Sequence, residues 1–114
     1  MVVLEPGAVV VLRFPFSDLS ASKHRPAVVL APGFAPEWIV CAITSNPYAD
    51  PSAIELLSAS FRVGGLRGRA FVRPFKLFAI DPSLITSRAG TLTQAALRSV
   101  VEPLVNVLSA SLLS

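Results

Sequence analysis

The chain is poor in the residues that most enzymes use for acid–base or metal chemistry. Its 114 residues include one cysteine, Cys41, and one histidine, His24. A single thiol excludes an intramolecular disulfide, and its place inside an apolar run argues against structural zinc and for a core thiol. A Cys–His nucleophile pair would have to use these two residues, and a ribonuclease with two histidines as acid and base is excluded. The seven Asp and Glu residues are scattered singly, mostly in turns, and make no metal-ligand cluster, so neither metal nor other cofactor is expected. Gly64-Gly65-Leu66-Arg67-Gly68 lacks the Lys-Ser/Thr ending of a phosphate loop, and no helical pattern follows it. Long apolar runs are missing as well. The charge-free segment Pro103 to Ser114 is about a dozen residues, interrupted by Asn106 and serines, against the roughly 20 that a membrane span needs. The start, MVVLEPG, has no basic region and meets Glu5 and Pro6 at once, unlike a secretory signal, so a cytoplasmic location away from membranes is expected.

What the chain has is apolar material. Hydrophobic residues make up 53% of it, with no linker, repeat or low-complexity tract to divide it, so residues 1–114 read as one domain. A domain this small buries a modest share of its surface, and some of that apolar material must remain outside. The simplest partner for an exposed apolar patch is a second copy of the chain, and a homodimer is expected.

The net charge is a modest +3, yet its distribution is uneven. Arg62, Arg67, Arg69, Arg73 and Lys76 fall in a stretch, Arg62 to Ile80, that holds no acidic residue, and Lys23, His24 and Arg25 form a second basic group. Positive charge interleaved with Phe61, Phe71, Phe75 and Phe78 suits a single-stranded polyanion, and it equally suits a solvated face over an aromatic core.

Taken in order, Pro6-Gly7 is a turn and Ala8 to Phe14 a first strand buried on most of both faces. Phe16 to His24 is a Ser-rich loop. Next comes RPAVVLAPGFAPEWIVCAIT, two apolar runs around a Pro- and Gly-containing connection, which predicts a hairpin of Pro26 to Ala31 with Trp38 to Ile43. With Ala31 opposite Trp38, partner numbers sum to 69 and Arg25 faces Thr44, on one side of the sheet; a one-residue slip would send Thr44 to the other face. A short strand is expected at Ala53 to Leu57 and a turn at Gly64 to Gly68. Strands follow at Arg69 to Pro74, continued after a bend by Lys76 to Ile80, and at Leu84 to Leu92, interrupted near Gly90. Five or more short strands with turns between them predict a small antiparallel barrel. A closing helix is expected with Thr93 as N-cap, Leu92 stapled to Leu97, and an apolar stripe of Leu97, Val100, Val101, Leu104 and Leu108. Pro103 inside it predicts a kink or two short helices.

The residues that remain for chemistry are Arg25 and Thr44, with Lys23, His24, Ser45 and Asn46 nearby. An arginine fork matches phosphate oxygens and the charge of a five-coordinate phosphorus transition state, and RNA brings its own nucleophile, the 2′-hydroxyl. The plainer alternatives are an Arg25–Asp18 ion pair and an ordinary strand-end threonine.

The segment GAVVVLRFPFSDLSASKHRPAVVLA, followed by WIVCAITS and later by VRPFKLFAID and the closing helix, resembles the MazF/PemK family of bacterial toxins. The resemblance implies a mainly β, SH3-like (plasmid-maintenance-toxin) antiparallel barrel with a C-terminal helix and a homodimeric, metal-independent endoribonuclease. Such an enzyme cuts single-stranded RNA, leaving a 2′,3′-cyclic phosphate and a 5′-hydroxyl. It places the catalytic arginine on Arg25 and the threonine on Thr44. RNA contacts are expected from Phe16, Ser20, Ser22, Lys23 and His24, from Ser45 and Asn46, and from Arg73 and Lys76. It also implies an antitoxin whose acidic segment lies in the RNA groove. Two positions depart from the pattern: Ala8 and Phe75 stand where acidic residues are common. The alternative on the same barrel is a non-enzymatic poison like the CcdB toxins, which rely on a tryptophan near the chain end; here the only tryptophan is Trp38.

Overall fold

The computed structural model describes residues 2–13 and 24–113. Phe16, Asp18, Ser20, Ser22 and Lys23, to which contacts were assigned from sequence, lie outside the described residues. Seven strands form one sheet: β1 (Ala8–Arg13), β2 (His24–Pro32), β3 (Trp38–Thr44), β4 (Ile54–Leu56), β5 (Phe61–Gly64), β6 (Ala70–Ile80) and β7 (Ile85–Leu92), followed by a helix, α1 (Gln94–Ala110). The order across the sheet is β4-β6-β3-β2-β1-β7-β5, every pairing is antiparallel, and the sheet coils into a nearly closed barrel.

The central strands carry unbroken apolar runs because both of their faces are covered. Side chains alternate along β1, β2 and β3, so Val9, Val28 and Cys41 join one cluster, with Ile43, Val72, Leu92 and Val100 of α1. Val10, Leu12, Ala27, Val29 and Val40 point the other way, beneath Leu4, Trp38, Phe78, Leu84 and Ile85. Each fully buried Val in this double layer contributes about 1.5–3 kcal/mol of transfer free energy.

The hairpin register differs at one end from the expected one. Pro32, not Ala31, stands opposite Trp38, because a bulge between Val29 and Ala31 shifts the pairing by one residue. Inside that bulge, Ala27↔Ala42, Val28↔Cys41 and Val29↔Val40 all sum to 69. The register expected for the functional end is therefore present, although the pair used to set it is not.

The strand expected at Arg69 to Pro74, with Lys76 to Ile80 continuing past a bend, is β6, a single strand with Pro74 buried inside it. The ladder to β3 passes from Cys41↔Leu77 to Ile43↔Val72, so β6 bows out over residues 73–76, where Pro74 has no N–H to offer. The turn read at Gly64 conceals the end of β5, which pairs Gly64 with Gly90 of β7. These backbones are so close that a Cβ on Gly90 would lie 2.4 Å from the Val63 carbonyl oxygen. Gly90 thus lets β5 approach; β7 spans Ile85–Leu92 as one strand, and the irregularity expected near Gly90 is a register shift in its ladder to β1, from Val9↔Gly90 to Val10↔Arg88.

The helix begins as predicted: the Ala96 N–H donates to the Thr93 hydroxyl at 3.1 Å, and Leu92 and Leu97 share one core cluster. It does not divide at Pro103 but continues to Ala110. Val100 and Leu104 are buried, Leu97 and Val101 partly so, and Leu108 is 63% exposed because the last turns run past the barrel. Arg88 ties the N-terminal segment to β7, donating to the Val3 carbonyl, the Glu5 carboxylate and the Thr91 hydroxyl. Of the two departures noted in sequence, Ala8 is fully buried and Phe75 is exposed.

Candidate active site

β2 enters the sheet at His24, whose register partner is Arg13, and Arg25 follows opposite Leu12 of β1. β3 leaves the sheet at Thr44, opposite Phe71 of β6. From the Ala27↔Ala42 pair, two further steps along each strand return to the same face and reach Arg25 and Thr44. Both line one open pocket of about 430 Å3, together with His24, Pro26, Ile43 and Ser45 of the same strand ends. The opposite wall is the β5–β6 connection, through Leu66, Arg67, Arg69 and Ala70. Among the described residues the lining side chains include three arginines and a histidine and no carboxylate.

The Thr44 hydroxyl also shapes the loop that follows. It donates to the Asn46 carbonyl at 2.9 Å and accepts the Asn46 N–H at 3.2 Å, and the Asn46 side-chain oxygen accepts the Tyr48 N–H at 2.9 Å. These small turns carry the chain through Tyr48 and Ala49, both at positive φ, toward Asp50. There Arg73 donates to Asp50 at 2.9 Å, with the two side chains 25% and 14% exposed. The Ser52 hydroxyl and N–H also donate to Asp50. The Ser52 hydroxyl first, then Arg73, hold the Asp50 carboxyl down to about 2.

The expected RNA-contacting residues thus divide. His24 and Ser45 line the pocket with Arg25 and Thr44; Asn46 adjoins through its backbone. Arg73 is committed to Asp50, and exposed Lys76 lies farther along β6, neither in the lining. Two lining residues were missed, Arg67 and Arg69. In sequence they are two of five cations in an acid-free run, beside a glycine turn that matches no phosphate loop. Here the same turn leads into a strand and presents its arginines to the pocket from the side.

The stretch 62–80, acid-free in sequence, is largely neutralised in space. Arg62 lies 3.9 Å from Glu5, Arg69 2.9 Å from Glu55 and Arg73 2.9 Å from Asp50. Arg25 and Arg67 have no ion-pair partner among the described residues. No group of three or more His, Cys, Asp or Glu side chains that could hold a metal ion occurs among the described residues.

The fold is similar to that of solved toxin structures. MazF from Deinococcus radiodurans superposes with a TM-score of 0.74 at 23% identity, covering 96% of this chain and 99% of that one. The MazE-MazF complex from the same organism gives 0.75 at 22%, covering 95% and 98%. An endoribonuclease bound to its cognate antitoxin from a mycobacterial species gives 0.66 at 12%, covering 90% of each chain. Among curated proteins none matches the sequence. The sequence profile of the PemK-like, MazF-like toxins of type II toxin-antitoxin systems matches residues 5–108, nearly the whole chain. With that match and a barrel of the same architecture, the chain belongs to the PemK-like, MazF-like toxin family.

Proposed function

We propose that this toxin is an endoribonuclease that cleaves single-stranded RNA through the substrate's 2′-hydroxyl without a metal ion, with Arg25 and Thr44 as catalytic residues. The observation that carries the reading is the convergence of Arg25 and Thr44 at one end of the β2–β3 hairpin, in a pocket whose charged lining among the described residues is all basic. The similar structure described as an endoribonuclease with its antitoxin supports the reaction class.

The reaction is a transesterification. The 2′-oxygen forms a bond to phosphorus, the bond from phosphorus to the 5′-oxygen breaks, and the proton lost by the 2′-oxygen is balanced by the one the 5′-oxygen gains. Charge accumulates on the phosphoryl oxygens in between, where the Arg25 guanidinium offers paired donors. The Thr44 hydroxyl donates a hydrogen bond to the same phosphate by exchanging out of its turn with Asn46. In the cell the protein acts in the cytoplasm as a homodimer, restrained by an antitoxin whose acidic segment occupies the basic pocket; the MazE-MazF complexes of similar fold support that partnership.

The test is single-turnover cleavage of a long single-stranded RNA in EDTA, with mapped ends. Arg25→Ala should lower the rate about 10²–10³-fold, the loss found when a preorganised transition-state donor is removed. Arg25→Lys should recover little, since an ammonium lacks the paired fork. A substrate with a 2′-deoxy sugar 5′ to the cut should resist cleavage. Equal cutting of that substrate, or a folded Arg25→Ala protein within a few-fold of wild type, would overturn the reading. A non-enzymatic poison would instead remain toxic with Ala at position 25.

A further inference from the structure

The glycine-rich side of the pocket presents two arginines in different states. Arg67 stands without an ion-pair partner among the described residues. Arg69 is held by a two-pronged contact: its Nε donates to one Glu55 carboxylate oxygen at 2.9 Å and an Nη donates to the other at 3.2 Å. Its guanidinium also lies over the Phe71 ring, 5.0 Å from the centroid. Glu55 is on edge strand β4, directly opposite Phe71 in the register. One carboxylate, one aromatic plane and one guanidinium therefore form a preset fork at the pocket wall.

We infer that this wall is a phosphodiester subsite for a nucleotide flanking the reacting one, with Arg67 as its standing cation and Arg69 as an exchangeable one whose phosphate place is kept by Glu55. The Arg69 side chain is 72% exposed, and an exposed ion pair contributes little net stability, so a phosphate can displace the carboxylate at small cost. A phosphate accepts the same two parallel N–H donors that Glu55 accepts now. Phe71 keeps the guanidinium in place during the exchange, and the guanidinium face gives a neighbouring base a plane to stack on. That combination of paired donors and a stacking plane favours a polynucleotide over an acidic peptide. The inference rests on the ribonuclease reading and extends it from the reacting phosphate to an adjacent one.

Salt dependence separates the two arginines. For single strands the slope of log K against log salt is roughly −0.7 per phosphate neutralised by a free cation. With a single-stranded 2′-deoxy oligonucleotide as probe, binding is read without cleavage. Arg67→Ala should weaken binding and flatten the slope by about 0.7. Glu55→Gln should do the opposite, because Arg69 then meets the phosphate as a free cation: tighter binding by several-fold and a slope steeper by about 0.7. The Glu55→Gln gain should disappear when Arg69 is Ala, and thermal melting should show all four proteins folded.

A Glu55→Gln gain that persists without Arg69 would overturn the exchange, as would an unchanged slope in Arg67→Ala. Variants that alter capture of a polyglutamate peptide but not of the oligonucleotide would assign the wall to a protein carboxylate and also overturn it. A wild-type protein that binds no oligonucleotide would refute the ribonuclease reading itself, whereas one that cleaves RNA while the variants bind like wild type would sink this inference alone.

Discussion

Single residues here serve two masters. Thr44 offers its hydroxyl to the pocket and also fixes the turn at Asn46. Thr44→Val should therefore lower both cleavage and loop order, while Thr44→Ser, which keeps the hydroxyl, should retain most of each; melting curves beside single-turnover rates distinguish the effects. Asp50 acts farther along the same loop. Its carboxyl is held down to about 2 by Ser52 and Arg73, whereas an unfolded aspartate titrates near 3.9. A depressed pKa favours the folded state above the unfolded value, so this contribution is complete above about pH 4 and is lost as pH falls toward 2. Denaturant midpoints measured at pH 5 and at pH 2.5 should converge between wild type and Asp50→Asn at the lower pH; a constant gap would show that the ionised carboxylate does not anchor the loop. From sequence alone Arg73 reads as one more cation for RNA. Its commitment to Asp50, 23 positions away, depends on a loop path that no local pattern encodes.

Among the elements, those with strong periodicity were legible. The apolar runs gave β1, β2 and β3, and the Thr93 cap with its following stripe gave α1. β5 was not, because its last residue is the first glycine of a turn signal, and a glycine that admits a close backbone looks in sequence like one that permits a bend. Substitution separates the roles. Gly90→Ala puts a Cβ 2.4 Å from a backbone oxygen of β5 and should cost about 1–3 kcal/mol or more. At Gly65 a Cβ meets nothing within 4 Å, and Gly65→Ala should be neutral or stabilise by about 0.4–1 kcal/mol. Urea unfolding of both variants checks this, and equal effects would remove the packing role of Gly90. Pro103 does not divide the helix: its penalty is local, while Val100 and Leu104 on either side of it are held by the core, so packing carries the helix through. The placing of Arg25 and Thr44, the proposed catalytic pair, at one pocket was legible for a reason partly accidental. The starting pair at the loop end was displaced by a bulge, yet the bulge is confined to that end and the register at the pocket was unaffected.

The molecule as a whole leaves apolar side chains outside. Val105, Val107, Leu108, Leu112 and Leu113 are exposed toward the end of α1 and beyond it, and Phe75 and Leu77 are exposed on β6. Sedimentation at micromolar concentration should give twice the 12.1 kDa chain mass; a single species at that mass would refute the dimer. Charge is likewise a property of the whole fold. The cation-rich stretch looks continuous in sequence, but carboxylates from three distant segments meet it in space, leaving Arg25 and Arg67 as the pocket arginines without an ion-pair partner among the described residues.

The lone thiol has a practical consequence. Cys41 is fully buried in the core, and burial pushes its pKa up to about 12, so in the native protein it offers almost no thiolate to an alkylating reagent. The chain therefore carries its own clock: each molecule becomes alkylatable when the barrel opens far enough to wet β3. Mass spectrometry of intact protein left with a maleimide would follow those openings through the mass of the adduct, with no residue changed.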